Sequence, residues 1–150
     1  MISMSITYVS AELRRLVIAG AEGLCEYCLI AEEDTFYGCE VDHIISEKHG
    51  GPTAGENLAF ACACCNAAKG SDVGSINWEN GGFVRFFNPR TDRWSDHFVL
   101  VEDRIESETP VGTVTTRILG FNSTERLLER LTLQDMKRYP CTAALKRMKH

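Results

Sequence analysis

The sequence predicts a mixed α+β fold in which a strand, a loop, a second strand and a short helix are clamped by four cysteines. Three observations carry this expectation. Cys25-Glu-Tyr-Cys28 and Cys62-Ala-Cys64-Cys65 form two C-x-x-C knuckles. Between them, residues 36–45 (FYGCEVDHII) are rich in strand formers and residues 58–61 (LAFA) are a short apolar run, separated by the Gly- and Pro-bearing stretch 46–57. Residues 63–69 are good or neutral helix formers and stop at Gly70.

The flanking elements follow the same rules. Ser10 can cap a helix whose Leu13, Leu16, Val17 and Ala21 recur at the three-and-four spacing of one buried face, with Gly23 as its stop. Downstream, residues 83–87 and 98–101 read as strands around a turn at Asn88-Pro89, and residues 111–119 alternate as a further strand. Residues 123–138 read as an amphipathic helix, capped by Ser123 or Thr124, that turns Leu127, Leu128, Leu131 and Met136 inward. The expected plan is one domain over residues 1–150: a core at 25–70, a β-rich and helical C-terminal extension at 83–138, and a basic tail at 137–150. A chain of 150 residues that is 44% hydrophobic can bury one ordinary core.

Seven cysteines are many for this length, and an odd number in a reducing compartment points to metal binding or chemistry before disulfides. No apolar stretch approaches bilayer length, and Glu12, Arg14, Arg15 and Glu22 interrupt any signal-peptide core. A cytoplasmic protein without membrane contact is expected. The formal charge of -5 weighs against broad attraction to phosphate. Residues 137–150, however, carry Lys137, Arg138, Lys146, Arg147 and Lys149 with no acidic residue. That tail reads equally as a local source of attraction or as a solvated, frayed terminus.

Two knuckles can present four thiolates at the corners of a tetrahedron, the geometry of a structural zinc site. The 33 residues between them cost little, because loop-closure entropy grows only logarithmically with length. Cys25, Cys28, Cys62 and Cys65 are the expected Zn²⁺ ligands. Cys64 competes by position only at cramped spacing, and Cys39, Cys64 and Cys141 are read as non-ligands.

The enclosed segment sets Asp42-His43 at the end of the first strand, Asn57 at the end of the loop and Asn66 directly after the last cysteine. The string VDHIIS…HGG…ENLAFACACCNAAKG resembles the HNH endonuclease family, in particular its zinc-ribbon members. The resemblance covers residues 25–70, with weaker similarity to small bacterial HNH proteins in FFNPRTDRWSDHF (residues 86–98) and the helix after residue 123. Two departures stand out. Asn66 replaces the family's naming histidine at the third motif position, and Ser46 follows HII where proline is common.

The resemblance implies a ββα-metal, or His-Me finger, unit that hydrolyses DNA phosphodiester bonds with one divalent cation, Mg²⁺ or Mn²⁺. Imidazole titrates near neutrality, so His43 is the expected general base. Asp42 and Asn66 supply hard oxygens for the catalytic cation. Asn57 is expected to pin the loop and orient the histidine, and Lys69, three residues beyond Asn66, to reach a phosphate as a point charge. His49 and His97 carry no assigned role, and Trp94, Phe98, Phe86 and Phe87 suggest packing around His97. Arg85, Arg90 and Arg93 read either as backbone contacts to nucleic acid or as partners of Asp92 and Asp96. A homodimer would supply the second active site that cutting both strands requires. The competing expectation is a non-catalytic zinc module that binds nucleic acid or protein.

Overall fold

The computed structural model describes residues 8–150. Helix α1 (Ala11–Ala21) begins where the Ser10 side chain accepts from the Leu13 amide. It ends one residue before the expected stop, since Glu22 is already left-handed at φ 56° and Gly23 follows at φ 75°. Val17 and Ala21 are buried as the spacing predicts, but Leu16 is 67% exposed and lies off the contact face.

Strand β1 (Cys39–His43) pairs antiparallel with β2 (Leu58–Cys62), from Cys39 opposite Cys62 at one end to His43 opposite Leu58 at the other. Every residue of β2 is buried because both faces of the pair are covered. Val17 and Ala21 of α1 pack with Leu58 and Phe60 on one face. Helix α2 (Ala63–Lys69) crosses the other, directly after the strand, with Cys62 as its N-cap. The order β, β, α is that read from the sequence.

The C-terminal extension departs from expectation. Phe83–Arg85 is strand β4, but it pairs with β3 (Gly74–Ile76). Phe98–Val101 is β5, and it pairs with β6 (Arg104–Ser107). The two expected strands therefore belong to separate hairpins, with the turn at Asn88 and helix α3 (Trp94–His97) between them. The expected strand at 111–119 is helix α4 (Pro110–Ile118). Thr109 caps the Gly112 amide and Pro110 occupies the first turn, two start signals that outweigh the strand propensity of Val111, Val114, Thr115, Thr116 and Ile118.

Helix α5 (Thr124–Asp135) is capped by Ser123 as anticipated, yet its inward face is different. Leu128, Leu131 and Met136 are exposed at 61%, 45% and 60%, whereas Arg126, Arg130 and Leu133 are buried. Helix α6 (Thr142–Lys149) orders the basic tail. Arg147 pairs with Glu22 and Glu26, Lys146 with Glu22, and Arg138 with Glu33 and Asp34. The tail is thus ordered as a helix over most of its length, and three of its five cations have acidic partners. One cluster of buried side chains runs from Leu24 to Ala144, joining the first knuckle, β2, the Phe86-Phe87-Trp94-Phe98 group and α6. Among the described residues, no helix is long and apolar enough to cross a membrane.

Candidate active site

The sheet presents two chemical groups, one at each end. At the Cys39–Cys62 end, the Sγ atoms of Cys25, Cys28, Cys62 and Cys65 all lie within 4.8 Å of one another and are buried. Two sulfurs bound tetrahedrally at about 2.3 Å from one Zn²⁺ would stand about 3.8 Å apart. The Cys28 and Cys62 sulfurs are 3.8 Å apart. The first knuckle reaches this position because Glu26 locks it to β2: its amide donates to the Phe60 carbonyl (2.8 Å) and its carboxylate accepts from the Phe60 amide (2.9 Å). The second knuckle is the start of α2, where the Cys62 sulfur accepts from the Cys65 amide and the helix N-terminus favours negative charge.

Hydrogen bonds from Cys25, Cys62 and Cys65 hold the Cys28 thiol well below its ordinary pKa, assisted by the Arg126 charge. Arg126 donates to Cys28 Sγ at 3.1 Å and to Cys65 Sγ at 3.6 Å. Cys39, by contrast, is pushed well up by burial, and Cys39, Cys64 and Cys141 stand outside the cluster. Four clustered soft donors suit zinc, and the non-ligand reading of the other three cysteines agrees with this geometry.

At the opposite end, strand alternation separates two sets of side chains. Asp42 at that end and Glu40, which follows Cys39 in the strand, share the face covered by α2. Lys69, three residues after Asn66, donates from Nζ to Asp42 Oδ2 (3.2 Å) and to the His43 carbonyl (2.9 Å). Its side chain is 2% exposed, so the expected reach toward a phosphate is corrected: Lys69 is a buried tether for Asp42 and the end of β1. The Asn66 amide nitrogen donates to Glu40 Oε2 at 3.2 Å, which turns its carbonyl oxygen away from that bond. Asp42, Asn66 and Glu40 thus offer hard oxygens on one face.

His43 lies on the other face, opposite Leu58, with its Nε2 2.9 Å from Thr53 Oγ1. The loop that delivers Thr53 looks loose by composition but is stapled. Asn57, 6% exposed, accepts from the Ile45 amide and donates to the Ile45 and Pro52 carbonyls, each at 2.9 Å. Gly51 passes so close that a Cβ there would sit 1.8 Å from the Ile45 carbonyl oxygen, which excludes any side chain. Asn57 therefore contacts loop backbone, and the histidine itself is met by Thr53. Glu40, Thr53 and Arg126 are contacts the sequence reading missed. Glu40 was signalled by its place two residues before Asp42; nothing in the sequence singles out the other two.

The remaining candidates sort by contact. His49 is exposed at the end of a 3-10 turn. His97 packs edge-on against Phe87 and Phe98 while Nδ1 meets Thr109 Oγ1 at 2.6 Å, which fits the packing reading. Arg85 binds Asp92 through two bonds of 2.7 and 3.1 Å, and Arg90 binds buried Glu26 instead of Asp92 or Asp96.

Residues 25–72 match the family model of the HNH endonuclease, with both knuckles and both faces inside the matched segment. The chain carries an HNH domain. HNH nucleases act on nucleic acid and generally use metal ions, so the match suggests nuclease activity for this segment, about a third of the chain. No curated protein and no solved structure matches the chain significantly.

Proposed function

We propose that the chain is a metal-dependent endonuclease that hydrolyses DNA phosphodiester bonds, with His43 as general base and a zinc ion held by Cys25, Cys28, Cys62 and Cys65 as scaffold. The reading rests on one observation: an oriented imidazole and a set of oxygen donors occupy opposite faces of β1, with Asp42 and His43 adjacent at its end. In-line displacement at phosphorus needs the attacking and leaving oxygens on opposite sides. A scissile phosphate straddling the end of β1 meets that requirement.

Thr53 fixes the ring through Nε2, which leaves Nδ1 as the atom that takes the proton from the attacking water. Asn57 holds the loop that carries Thr53, so its contribution is to positioning. Asp42, the Asn66 carbonyl and Glu40 would hold Mg²⁺ or Mn²⁺, which when bound neutralises phosphate charge and stabilises the leaving oxygen. Lys69 keeps Asp42 aimed at that face.

The test is loss of supercoil from plasmid DNA with Mg²⁺ or Mn²⁺, comparing wild type with His43→Ala at matched zinc content. Removing a general base lowers the rate by about 10²–10⁴-fold. Equal rates for the two proteins would discard the enzymatic reading. A second reading, a non-catalytic zinc module, is favoured by the pairing of Arg138, Lys146 and Arg147 with acidic partners, which neutralises three of the five cations of the basic tail. Binding of DNA or protein without turnover, unaffected by His43→Ala, would support it.

A further inference from the structure

Arg126 is the one arginine of the described residues whose guanidinium meets the sulfur cluster, and it does so from outside the matched HNH segment, on α5. Its residue is 5% exposed. One terminal nitrogen lies 3.1 Å from Cys28 Sγ and the other 3.6 Å from Cys65 Sγ, so the planar fork spans one sulfur from each knuckle. Its Nε donates to Glu129 Oε1 at 2.9 Å, one turn along, which fixes the plane of the fork.

Four thiolates around one Zn²⁺ carry a formal charge of two negatives, and a buried charge without a partner is costly. A fixed cation against two of the four sulfurs offsets that charge and draws electron density from them. Each charge stabilises the other. The backbone of the first knuckle is also held, since Tyr139 donates to the Cys28 carbonyl (2.9 Å) and Trp94 to the Tyr27 carbonyl (2.8 Å).

We propose that Arg126 is a charge partner of the zinc site: it retards loss of the ion and makes docking of α5 dependent on a loaded cluster. This rests on the zinc reading above and not on nuclease activity. Linkage requires the dependence to run both ways, because neutral, metal-free thiols would leave the buried Arg126 with Glu129 as its one charged partner and its two terminal nitrogens facing uncharged sulfur.

The experiment follows zinc transfer from the full chain to a chromogenic chelator, after metal analysis of each protein, for wild type, Arg126→Met, Arg126→Lys and the exposed control Arg104→Met. Loss of an outer-shell partner typically weakens metal binding by about 10–100-fold, so Arg126→Met should release zinc at least about tenfold faster. Arg126→Lys keeps the charge but offers no planar fork, and should fall between. Arg104→Met should match wild type. Equal release from Arg126→Met and wild type overturns the proposal, as does equal acceleration by Arg104→Met. Should Arg126→Met fail to fold, Arg126→Lys decides: wild-type release from it overturns the two-sulfur role. Wild type purified with zinc absent from the cluster would defeat the zinc reading itself, a result distinct from equal release rates.

Discussion

The two ends of the β1–β2 pair are built from the same short segment yet are held by opposite means. At the thiol end, all four cysteines are buried and four separate segments contribute a bond: β2 through Phe60, α3 through Trp94, α5 through Arg126 and the α5–α6 connection through Tyr139. At the carboxylate end, Asp42, His43 and Asn66 are half-buried, and their partners Lys69, Thr53 and Glu40 all come from residues 40–69. A scaffold has to exclude water and tolerate no movement, whereas a site that handles a polymer has to admit it from solvent. The C-terminal extension belongs to the first of these ends: through Trp94, Arg126 and Tyr139 it bonds to the first knuckle and covers the sulfurs.

The largest effect should come from breaking the thiol end. Cys62→Ser removes one sulfur of the cluster while leaving a hydroxyl that can still cap α2, so any loss reports the sulfur. Structural zinc contributes about 10–16 kcal/mol of apparent binding free energy, comparable to or above the whole stability of a small domain. The expected result is loss of the cooperative thermal transition and of most helical circular dichroism, reproduced in wild type by a strong chelator. A Cys62→Ser protein that melts like wild type would dissolve the distinction between the two ends.

At the carboxylate end the corresponding change should be local. Lys69→Met fills similar volume but strips Asp42 and the His43 carbonyl of their shared donor. Breaking a fully buried pair costs about 3–5 kcal/mol; because the Asp42 side chain retains 19% exposure, about 2–3 kcal/mol is expected here, with a single unfolding transition preserved. Denaturant titration measures it. A change below about 0.5 kcal/mol, the range of ordinary surface substitutions, would mean that Asp42 is solvated in place and needs no tether.

What was legible in the sequence follows the same division. The knuckles, the β, β, α order and the places of Asp42, His43, Asn57 and Asn66 within it could be read because their signals are local: spacing, turn residues and a stop glycine. Lys69 was picked out on the correct helix face, but spacing says nothing about what the face meets, and it meets a carboxylate. Thr53 acts through a loop whose fold is set by Asn57 and by the close pass of Gly51, neither visible as a periodic pattern. The strand expected at 111–119 failed because β-branched residues were weighed above the Thr109-Pro110 helix start. Most instructive is α5, where the apolar positions were assigned inward and arginines occupy the buried face instead. Hydrophobic spacing cannot anticipate a core that already contains negative sulfur and free carbonyls, which reward guanidinium over leucine. Arg130 is fully buried on the same terms, donating to the carbonyls of Asp103 (2.7 Å) and Phe121 (2.5 Å).

That inversion makes the smallest prediction the sharpest about why the thiol end is closed. Leu128 is 61% exposed and Leu133 is 8% exposed, five residues apart on one helix. If α5 docks by its arginines with Leu133 as the apolar contact, Leu133→Ala should cost about 2–3 kcal/mol, near the low end for a buried leucine because the site is at the edge of the core. Leu128→Ala should change stability by less than about 0.5 kcal/mol, since alanine removes exposed apolar area and keeps helix propensity. Paired thermal melts of the two zinc-loaded variants decide it. The reverse ranking would return the helix to the hydrophobic face read from its sequence, and with it would take away the geometric basis for a guanidinium on the sulfurs.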